Sequence, residues 1–212
     1  MTNSPELTVL GRSNSSNVQK VMWLLDEIGQ ACVRVDVGGQ YGGNKAADYL
    51  AKNPNGVVPT LIHGDAVVWE SNAILRYLAN RFHAVGLYPT DPVDRSWVDR
   101  WMDWQLSSLG PANRTLFQRI VRTPPEQRRQ DAIDEARDQN AELFGLLDGY
   151  LDRSAYLGGT SFSIADIAVG PLAYRWLTLP VQRPRLRNVE RWYALLCKRE
   201  AFVKHVIEIG LS

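Results

Sequence analysis

The 212 residues suffice for one large or two small domains with a substantial core, because chains of this length bury most of their surface on folding. A formal net charge of +1 gives no electrostatic reason to expect binding to nucleic acid or to an anionic membrane. No apolar stretch is long enough to cross a bilayer and the first residues lack a signal-peptide pattern, so we expect a cytosolic protein.

The cysteines and histidines form no recognisable site. Cys32 and Cys197 lie far apart in the sequence, and neither belongs to a C-x-x-C motif. The three histidines (His63, His83 and His205) are scattered and lack the spacing of metal ligands. We therefore expect no metal.

Strand and helix signals alternate over the first 81 residues. Short apolar runs predict strands at 6–10 and 32–37, and helical periodicity predicts helices at 18–28 and 46–51. Two further apolar runs, 60–63 and 66–69, predict a hairpin, and a helix follows over 71–81. The order βαβαββα predicts an α/β layer in which the hairpin adds antiparallel strands to a right-handed βαβ unit.

Two features around this hairpin are typical of a ligand site. Pro59 precedes the first hairpin strand and cannot donate a hydrogen bond, so we expect the backbone of Val58 to lack a strand partner. Ser71 at the next helix start offers its hydroxyl and the first-turn N–H groups to an anion, while Glu70 can accept from an ammonium group. A zwitterion would satisfy both residues. The alternative is a plain capping serine beside a solvated glutamate.

The rest of the chain predicts a second, all-helical domain. Residues 84–93 lack periodicity and are rich in glycine and proline, which predicts a linker between domains at 1–83 and 94–212. Long helices are predicted over 94–122 and 126–152, and Ser163 to Asp166 forms a capping box that opens an apolar, central helix. Shorter helices begin near 188 and 200. The arginine-rich stretch 114–129 contains Glu126 and is followed by Asp131, Asp134 and Glu135, so we interpret it as a solvated helix face.

The polar loop after the first strand has the sequence Ser13-Asn14-Ser15-Ser16. Serines stand where a thioredoxin-like strand–loop–helix unit carries the two cysteines of C-x-x-C, which excludes dithiol chemistry. A hydroxyl at a helix N-terminus can donate to an anion, including the thiolate of a substrate. Lowering a thiol pKa by about two units requires roughly 2.7 kcal/mol, and one charge-assisted hydrogen bond supplies about 1.5–3 kcal/mol. The alternative is a set of capping and turn serines.

These features together resemble the cytosolic glutathione transferases, most closely their bacterial theta-like branch. The resemblance spans essentially the whole chain and rests on the Ser-Asn-Ser-Ser loop, Val-Pro-Thr-Leu at 58–61, Trp-Glu-Ser-Asn-Ala-Ile at 69–74, the later capping box and the helical second domain. It implies a thioredoxin-like N-terminal domain, a helical-bundle C-terminal domain, glutathione as co-substrate, no metal, and a homodimer.

The resemblance also implies how glutathione would bind. The tripeptide would lie along Val58 before a cis Pro59, with its γ-glutamyl carboxylate at Ser71 and with Glu70 contributing at the same end. Ser13 would stabilise the thiolate. The alternatives for that role in the same loop are Asn14, Ser15 and Ser16.

Other assignments carried by the resemblance concern the ends of the site. Val57 stands where the theta pattern often has a lysine, so recognition of the glycine carboxylate would pass to Lys45 or Lys52. The pocket for the electrophile would be lined by Trp101 and Trp104, although an aromatic stripe at helical spacing is also typical of a core. The acids that would reach the glutathione of the partner subunit are Asp103 and Asp99.

Three functions remain open at this point. The first is conjugation of glutathione to a small, partly apolar electrophile, with proximity and thiolate stabilisation providing the rate. The second is glutathione-dependent reduction of a disulfide or peroxide on the same fold. The third is a non-catalytic interaction module, against which the retained Glu70-Ser71 pair and the hydroxyl-rich loop argue.

Overall fold

The structure is a computed structural model that describes residues 6–211. Its four strands are β1 (Leu7–Leu10), β2 (Val33–Val35), β3 (Thr60–His63) and β4 (Ala66–Trp69), arranged in the order β2-β1-β3-β4. β1 and β2 pair in parallel, and the other two pairs are antiparallel. The helices of this layer are α1 (Ser16–Glu27), α2 (Ala47–Leu50) and α3 (Ser71–Arg81). The predicted βαβαββα order is confirmed, and β3, β4 and α3 have the predicted bounds.

The helical half is also confirmed, with one difference in detail. Its helices are α4 (Pro92–Trp104), α5 (Gly110–Phe117), α6 (Gln130–Leu151), α7 (Ile164–Thr178), α8 (Arg187–Leu196) and α9 (Glu200–Phe202). Three π-helical segments continue α4, α5 and α9, at Gln105–Leu109, Gln118–Arg122 and Val203–Ile207. The single helix predicted over 94–122 is therefore a continuous helical path that is interrupted once by wider turns and ends in a second set of them, which sequence periodicity does not reveal.

The end of the predicted linker is wrong by two residues. Pro92 and Val93 belong to α4, because Asp91 caps this helix and accepts hydrogen bonds from the N–H groups of Val93 (2.9 Å) and Asp94 (3.1 Å). Proline is favoured in this first helical turn, where its missing N–H costs nothing. The remaining connection is docked against the helical domain, since Leu87 accepts a 3.0 Å hydrogen bond from the backbone of Ile164.

The predicted capping box lies at the centre of the helical domain. The Asp166 carboxylate is fully buried and accepts from the N–H groups of Ser163 (2.8 Å) and Leu157 (2.9 Å) and from Trp192 Nε1 (2.8 Å). Burial raises the pKa of Asp166 to about 6, although these hydrogen bonds act in the opposite direction. The residue thus joins the start of α7 to the preceding loop and to α8.

Helix α1 joins the two domains. Its Trp23 packs against Phe162 and Phe202, with ring centroids 5.7 and 4.7 Å apart. Gly170 of α7 allows this approach, because a Cβ at that position would lie 2.6 Å from the Trp23 ring. No helix in residues 6–211 is long and apolar enough to span a membrane. The packing fixes α1, and with it the polar loop at its N-terminus, against the helical domain.

Candidate functional site

The loop after β1 lies directly against the segment that precedes β3. Gly11 and Arg12 donate backbone hydrogen bonds to Val35 (2.8 Å) and Val37 (3.1 Å), which extends the β1–β2 pairing. A Cβ on Gly11 would lie 2.5 Å from a methyl group of Val18 and 3.2 Å from Cβ of Val58. Only glycine allows this close approach, which brings the polar loop and Val58 together.

The four polar residues of this loop are in different environments. Ser13 and Asn14 form a half-buried turn, whereas Ser15, the residue before α1, and Ser16, its first residue, are buried. The amide oxygen of Asn14 accepts a 3.3 Å hydrogen bond from Arg12. Within residues 6–211 the Ser13 hydroxyl has no hydrogen-bond partner, so it is free to donate to a ligand.

The segment before β3 is anchored by hydrogen bonds at Val57 and has unpaired backbone groups at Val58. The peptide bond between Val58 and Pro59 is cis. The Val57 carbonyl accepts from the Tyr49 hydroxyl (2.7 Å) and from the buried Asn53 amide (2.8 Å). The N–H and C=O groups of Val58 have no partner in the part of the chain that is described. They form the open backbone edge expected from the sequence, to which an extended peptide can add.

The two candidate lysines near this edge are partly engaged with backbone. Lys45 Nζ donates to the carbonyl of Asn55 (3.2 Å), and Lys52 Nζ donates to that of Asp48 (2.8 Å). Lys45 is exposed, and its Nζ lies close to Gly56, where a Cβ would come within 2.6 Å. Of the two lysines, Lys45 therefore lies nearer the open backbone edge at Val58, because its partner is Asn55 whereas that of Lys52 is Asp48.

The start of α3 differs from the predicted capping arrangement. Glu70, not Ser71, is the residue before the helix, and no side chain caps this N-terminus. Ser71 is the first helical residue and is buried, with its Oγ 3.3 Å from Asn17 Oδ1 and 3.5 Å from Lys20 Nζ. The capping-serine interpretation is therefore wrong, because the hydroxyl points to α1 instead of its own helix.

The conformation of Glu70 is unusual. Its φ is +69°, a left-handed conformation that L residues other than glycine, asparagine and aspartate seldom adopt. Its side chain is exposed and makes no hydrogen bond to its own helix. The surrounding structure holds the glutamate at the helix start in this conformation, where its carboxylate is available to a cationic group.

Lys20 belongs to this site and was missed from the sequence. It is almost fully buried, and its Nζ donates to Gln105 (2.8 Å) and lies 3.5 Å from the Ser71 hydroxyl. Burial, and to a smaller extent repulsion by Arg175, lowers the pKa of Lys20 to about 7, while Glu70 acts in the opposite direction. Nothing in the periodicity of α1 marks Lys20, because its burial depends on a helix some 85 residues later in the chain.

Asp99 and Asp103 pair within their own chain. Arg76 of α3 donates to Asp99 (2.6 Å) and to Asp103 (2.7 Å), and the Tyr88 hydroxyl also donates to Asp99 (3.1 Å). The side chain of Asp103 remains 67% exposed, against 29% for Asp99. Of the two acids, Asp103 is the more accessible to a partner subunit.

The two tryptophans proposed for the electrophile pocket pack within the helical domain. The Trp101 ring lies 4.8 Å from Tyr150 of α6 and 5.2 Å from Trp104. Trp101 is 6% exposed, whereas Trp104 is partly exposed and Trp97 is 45% exposed. These contacts favour a packing role for Trp101, and the pocket role of the pair stays a prediction.

Arginines, not tryptophans, approach the polar loop from the helical domain. The charges of Arg122 and Arg175 are both close enough to that of Arg12 for mutual repulsion to contribute to lowered guanidinium pKa values. The interpretation of the arginine-rich stretch as a solvated face holds for Arg119 and Arg129, which pair with Glu135 and Asp131. Arg114 and Arg122 are exposed as well, so they also fit a solvated face, although the charge of Arg122 lies close to that of Arg12.

The described residues supply neither a reactive thiol nor a metal site. Cys32 and Cys197 are free and half-buried, and burial raises the pKa of both thiols. Across residues 6–211 no cluster of three acidic, histidine or cysteine side chains is placed to hold a metal ion. A groove of about 740 Å³ lies between the π-helical segment after α5, the start of α6 and the residues that follow α7, but no residue of the N-terminal domain lines it. Sulfur chemistry at the polar loop would therefore use a sulfur atom supplied by a ligand.

Comparison with known proteins identifies the family. The family model described as Glutathione S-transferase, N-terminal domain matches residues 5–80, and the C-terminal domain model matches residues 102–200. Glutathione S-transferase GstB of Escherichia coli is 39% identical over 97% of this chain and 100% of that protein, and Glutathione S-transferase 3 of Zea mays is 31% identical over 97% and 95%.

A solved structure agrees with these matches. The theta class glutathione S-transferase of Xanthomonas axonopodis pv. citri, with glutathione bound, is 45% identical and superposes with a TM-score of 0.92, covering 96% of this chain and 98% of that one. With both domains matched and close relatives aligned over nearly the full length, this chain belongs to the glutathione S-transferase family.

Proposed function

We propose that this protein binds glutathione, holds its sulfur as a thiolate beside Ser13, and transfers it to a small electrophile. One observation carries the proposal: the polar loop and the first turn of α1 together contact both halves of a peptide site. Gly11 packs on Val58, whose backbone is open, and Asn17 accepts from the Ser71 hydroxyl at the start of α3. A tripeptide spanning Val58 and Ser71 would therefore pass the Ser13 hydroxyl.

Each end of glutathione has a chemically matched group. The backbone of Val58 can pair with the cysteinyl peptide, as in strand addition. Lys20 can donate to the γ-glutamyl carboxylate, as can the Ser71 hydroxyl when it turns from Asn17 to the ligand, and the exposed Glu70 carboxylate can accept from the adjacent ammonium. At the other end, Lys45 is the nearer lysine for the glycine carboxylate, with Lys52 as the alternative.

Ser13 is best suited of the loop residues to stabilise the thiolate. Its hydroxyl has no partner in residues 6–211, whereas Asn14 is engaged by Arg12 and Ser15 and Ser16 are buried. A hydrogen bond to the thiolate would lower the pKa of the bound thiol and raise the reactive fraction at neutral pH. The sulfur would then attack the electrophilic carbon, while the proton passes to solvent and the leaving group departs with its electron pair.

Replacing Ser13 by alanine tests this role. We expect kcat/KM for 1-chloro-2,4-dinitrobenzene to fall about tenfold to a hundredfold, since one charge-assisted hydrogen bond is lost. The pKa of bound glutathione, followed by the ultraviolet absorbance of its thiolate, should rise by about one to two units for the same reason. Ser96→Ala, an exposed serine of α4, is the control and should change neither quantity.

The loop variants also separate the alternatives. Unchanged kinetics in Ser13→Ala, with a loss in Asn14→Ala, Ser15→Ala or Ser16→Ala, would move the role to that residue. Turnover of disulfides or peroxides without conjugation would favour the reductase, and failure both to bind immobilised glutathione and to turn over any substrate would favour a non-catalytic module. Homodimerisation, contact of Asp103 or Asp99 with the partner's glutathione, and a cytosolic location stay predictions.

A further inference from the structure

Four arginines converge between the polar loop and the helical domain. Arg12 comes from the loop itself, and the other three come from α5, from the π-helical segment that follows it and from α7: Arg114, Arg122 and Arg175. The Arg175 guanidinium lies 4.2 Å from the ring centroid of Phe117, and that of Arg122 lies 5.6 Å from it. We call Arg12, Arg114, Arg122 and Arg175 the arginine cluster.

The arginine cluster has no acidic partner in the part of the chain that is described. None of its members forms an ion pair within residues 6–211, although Arg76, Arg137 and Arg199 each pair with carboxylates. Among the described residues, the only side-chain hydrogen bond from the cluster is that of Arg12 to Asn14. Arg114 and Arg122 are exposed to solvent, whereas Arg12 and Arg175 are partly buried. Arg175 is repelled by the other three charges and has no carboxylate to offset this repulsion, so an anion bound beside Arg175 would be stabilising.

Arg175 is the most constrained member of the arginine cluster. It projects from the otherwise buried helix α7, and its guanidinium is stacked on Phe117. Burial, followed by repulsion from Arg12, Arg122 and Arg114, lowers the pKa of Arg175 to about 10, which leaves it charged at neutral pH. A desolvated guanidinium held flat against a ring is preorganised for a planar anion, because little side-chain entropy remains to be lost.

The position of the arginine cluster indicates which molecule it serves. Arg12 directly precedes Ser13, and its charge is within interaction range of Arg122 and Arg175, which meet at the Phe117 ring in the helical domain. The carboxylates of glutathione are accounted for elsewhere, at Ser71 with Lys20 and at Lys45. The remaining reactant that must approach the sulfur from the helical domain is the electrophile.

We propose that the electrophile carries a carboxylate or similar anionic group, held by Arg175 and Arg122 so that its reactive carbon faces the sulfur beside Ser13. The inference rests on the proposed function and names its substrate class. In a displacement, the thiolate pair forms the C–S bond, the C–Cl bond breaks, chloride leaves with its electron pair, and the anionic group is unchanged. The arginines position the substrate and take no part in proton transfer.

The test compares two electrophiles of the same shape. 4-Chloro-3-nitrobenzoate and 4-chloro-3-nitrobenzamide share ring and leaving group but differ in charge. Each kcat/KM is divided by the uncatalysed rate with glutathione, which removes the difference in intrinsic reactivity. We expect the unchanged protein to favour the carboxylate by about tenfold or more, the size of one charge-assisted hydrogen bond.

Charge-neutralising variants assign the preference to residues. Arg175→Gln and Arg122→Gln should each remove most of the preference for the carboxylate, because only the anionic electrophile loses a charged partner. Arg122 is exposed, so its variant keeps the test valid if Arg175→Gln does not fold. The control is Arg119→Gln, which removes a charge from the same segment. Because Arg119 pairs with Glu135 and is not part of the arginine cluster, this variant should retain the preference.

Failure of this inference differs from failure of the proposed function. Equal normalised rates for the two electrophiles, or equal losses on both in the arginine variants, would overturn the anionic substrate and assign the cluster to the thiolate. If no electrophile is conjugated at all, the proposed function fails. Calorimetric binding of 3-nitrobenzoate in the presence of S-methylglutathione then decides the anion site: binding weakened in Arg175→Gln supports it, and no binding overturns it.

Discussion

Two buried ionisable side chains, Asp166 and Lys20, are satisfied to different degrees. Asp166 accepts hydrogen bonds from two backbone N–H groups, the Ser163 hydroxyl and Trp192, at 2.8–3.1 Å. Lys20 has three donors but makes one short hydrogen bond, to Gln105, and one long one, to Ser71. All hydrogen-bonding needs of Asp166 are thus met within the fold, whereas Lys20, at the proposed site, has donor capacity left for a ligand.

This difference teaches how to separate packing from function in a buried polar cluster. A saturated cluster at the centre of one domain, such as that of Asp166, is explained by stability alone. An unsaturated charge at a domain boundary, such as Lys20, costs stability in the free protein and is expected to recover it when an anion binds. Arg175, which forms no ion pair within residues 6–211 and repels Lys20, follows the second pattern.

The largest expected effect follows from removing the saturated group. Asp166→Ala leaves Leu157, Ser163 and Trp192 donors buried without an acceptor. We expect the free energy of unfolding, measured in urea, to fall by about 3–5 kcal/mol. Asp134→Ala, which removes a half-exposed ion pair with Arg137, is the control and should cost about 1 kcal/mol or less. A similar loss in both variants would refute the central role of Asp166.

Removing Lys20, the unsaturated group, should affect ligand affinity more than stability. Lys20→Met keeps the length of the side chain and removes the buried charge. We expect the free energy of unfolding to stay equal or rise, and the affinity for S-methylglutathione to fall about tenfold or more, as one charge-assisted hydrogen bond is lost. Urea unfolding and isothermal calorimetry measure the two quantities. A destabilised variant with unchanged affinity would make Lys20 a structural residue.

The smallest expected effect that distinguishes Lys20 from Asp166 is proton uptake at Lys20 when a ligand binds. With a pKa of about 7, Lys20 is largely neutral in the free protein at about pH 8, and a bound carboxylate should raise that pKa. Binding of S-methylglutathione, which has no thiol to ionise, should therefore take up as much as about one proton near this pH. Calorimetry in buffers of different ionisation enthalpy counts the protons, and Lys20→Met shows how many come from Lys20.

The same pKa fixes the sign of a stability change. Lys20 binds its proton less tightly in the folded protein than an ordinary lysine of pKa 10.5. The unfolded chain therefore holds more protons at this residue between about pH 7 and 10.5, so its contribution to the free energy of unfolding rises with pH across that window. Proton uptake that is equal in the unchanged protein and in Lys20→Met would show that Lys20 does not meet the carboxylate.

The sequence by itself determined the strands and helices of the fold and the unpaired backbone edge at Val58. The bounds of β3, β4 and α3, and the capping box at Ser163, were predicted because turn residues, alternation and capping are local signals. The unpaired backbone of Val58 follows equally locally, from a proline that cannot donate. The Ser-Asn-Ser-Ser loop and the Glu70-Ser71 pair, read together, were enough to indicate the family.

Only the tertiary structure decided what surrounds these elements. The direction of the Ser71 hydroxyl, the burial of Lys20 and the convergence of Arg12 with Arg122 and Arg175 all depend on helices far apart in the sequence. Helical periodicity gives the face of a residue on its own helix but not the element that covers that face, so the burial of Lys20 and the partial burial of Arg175 were not predicted. Their environment was fixed when α1 packed between the two domains.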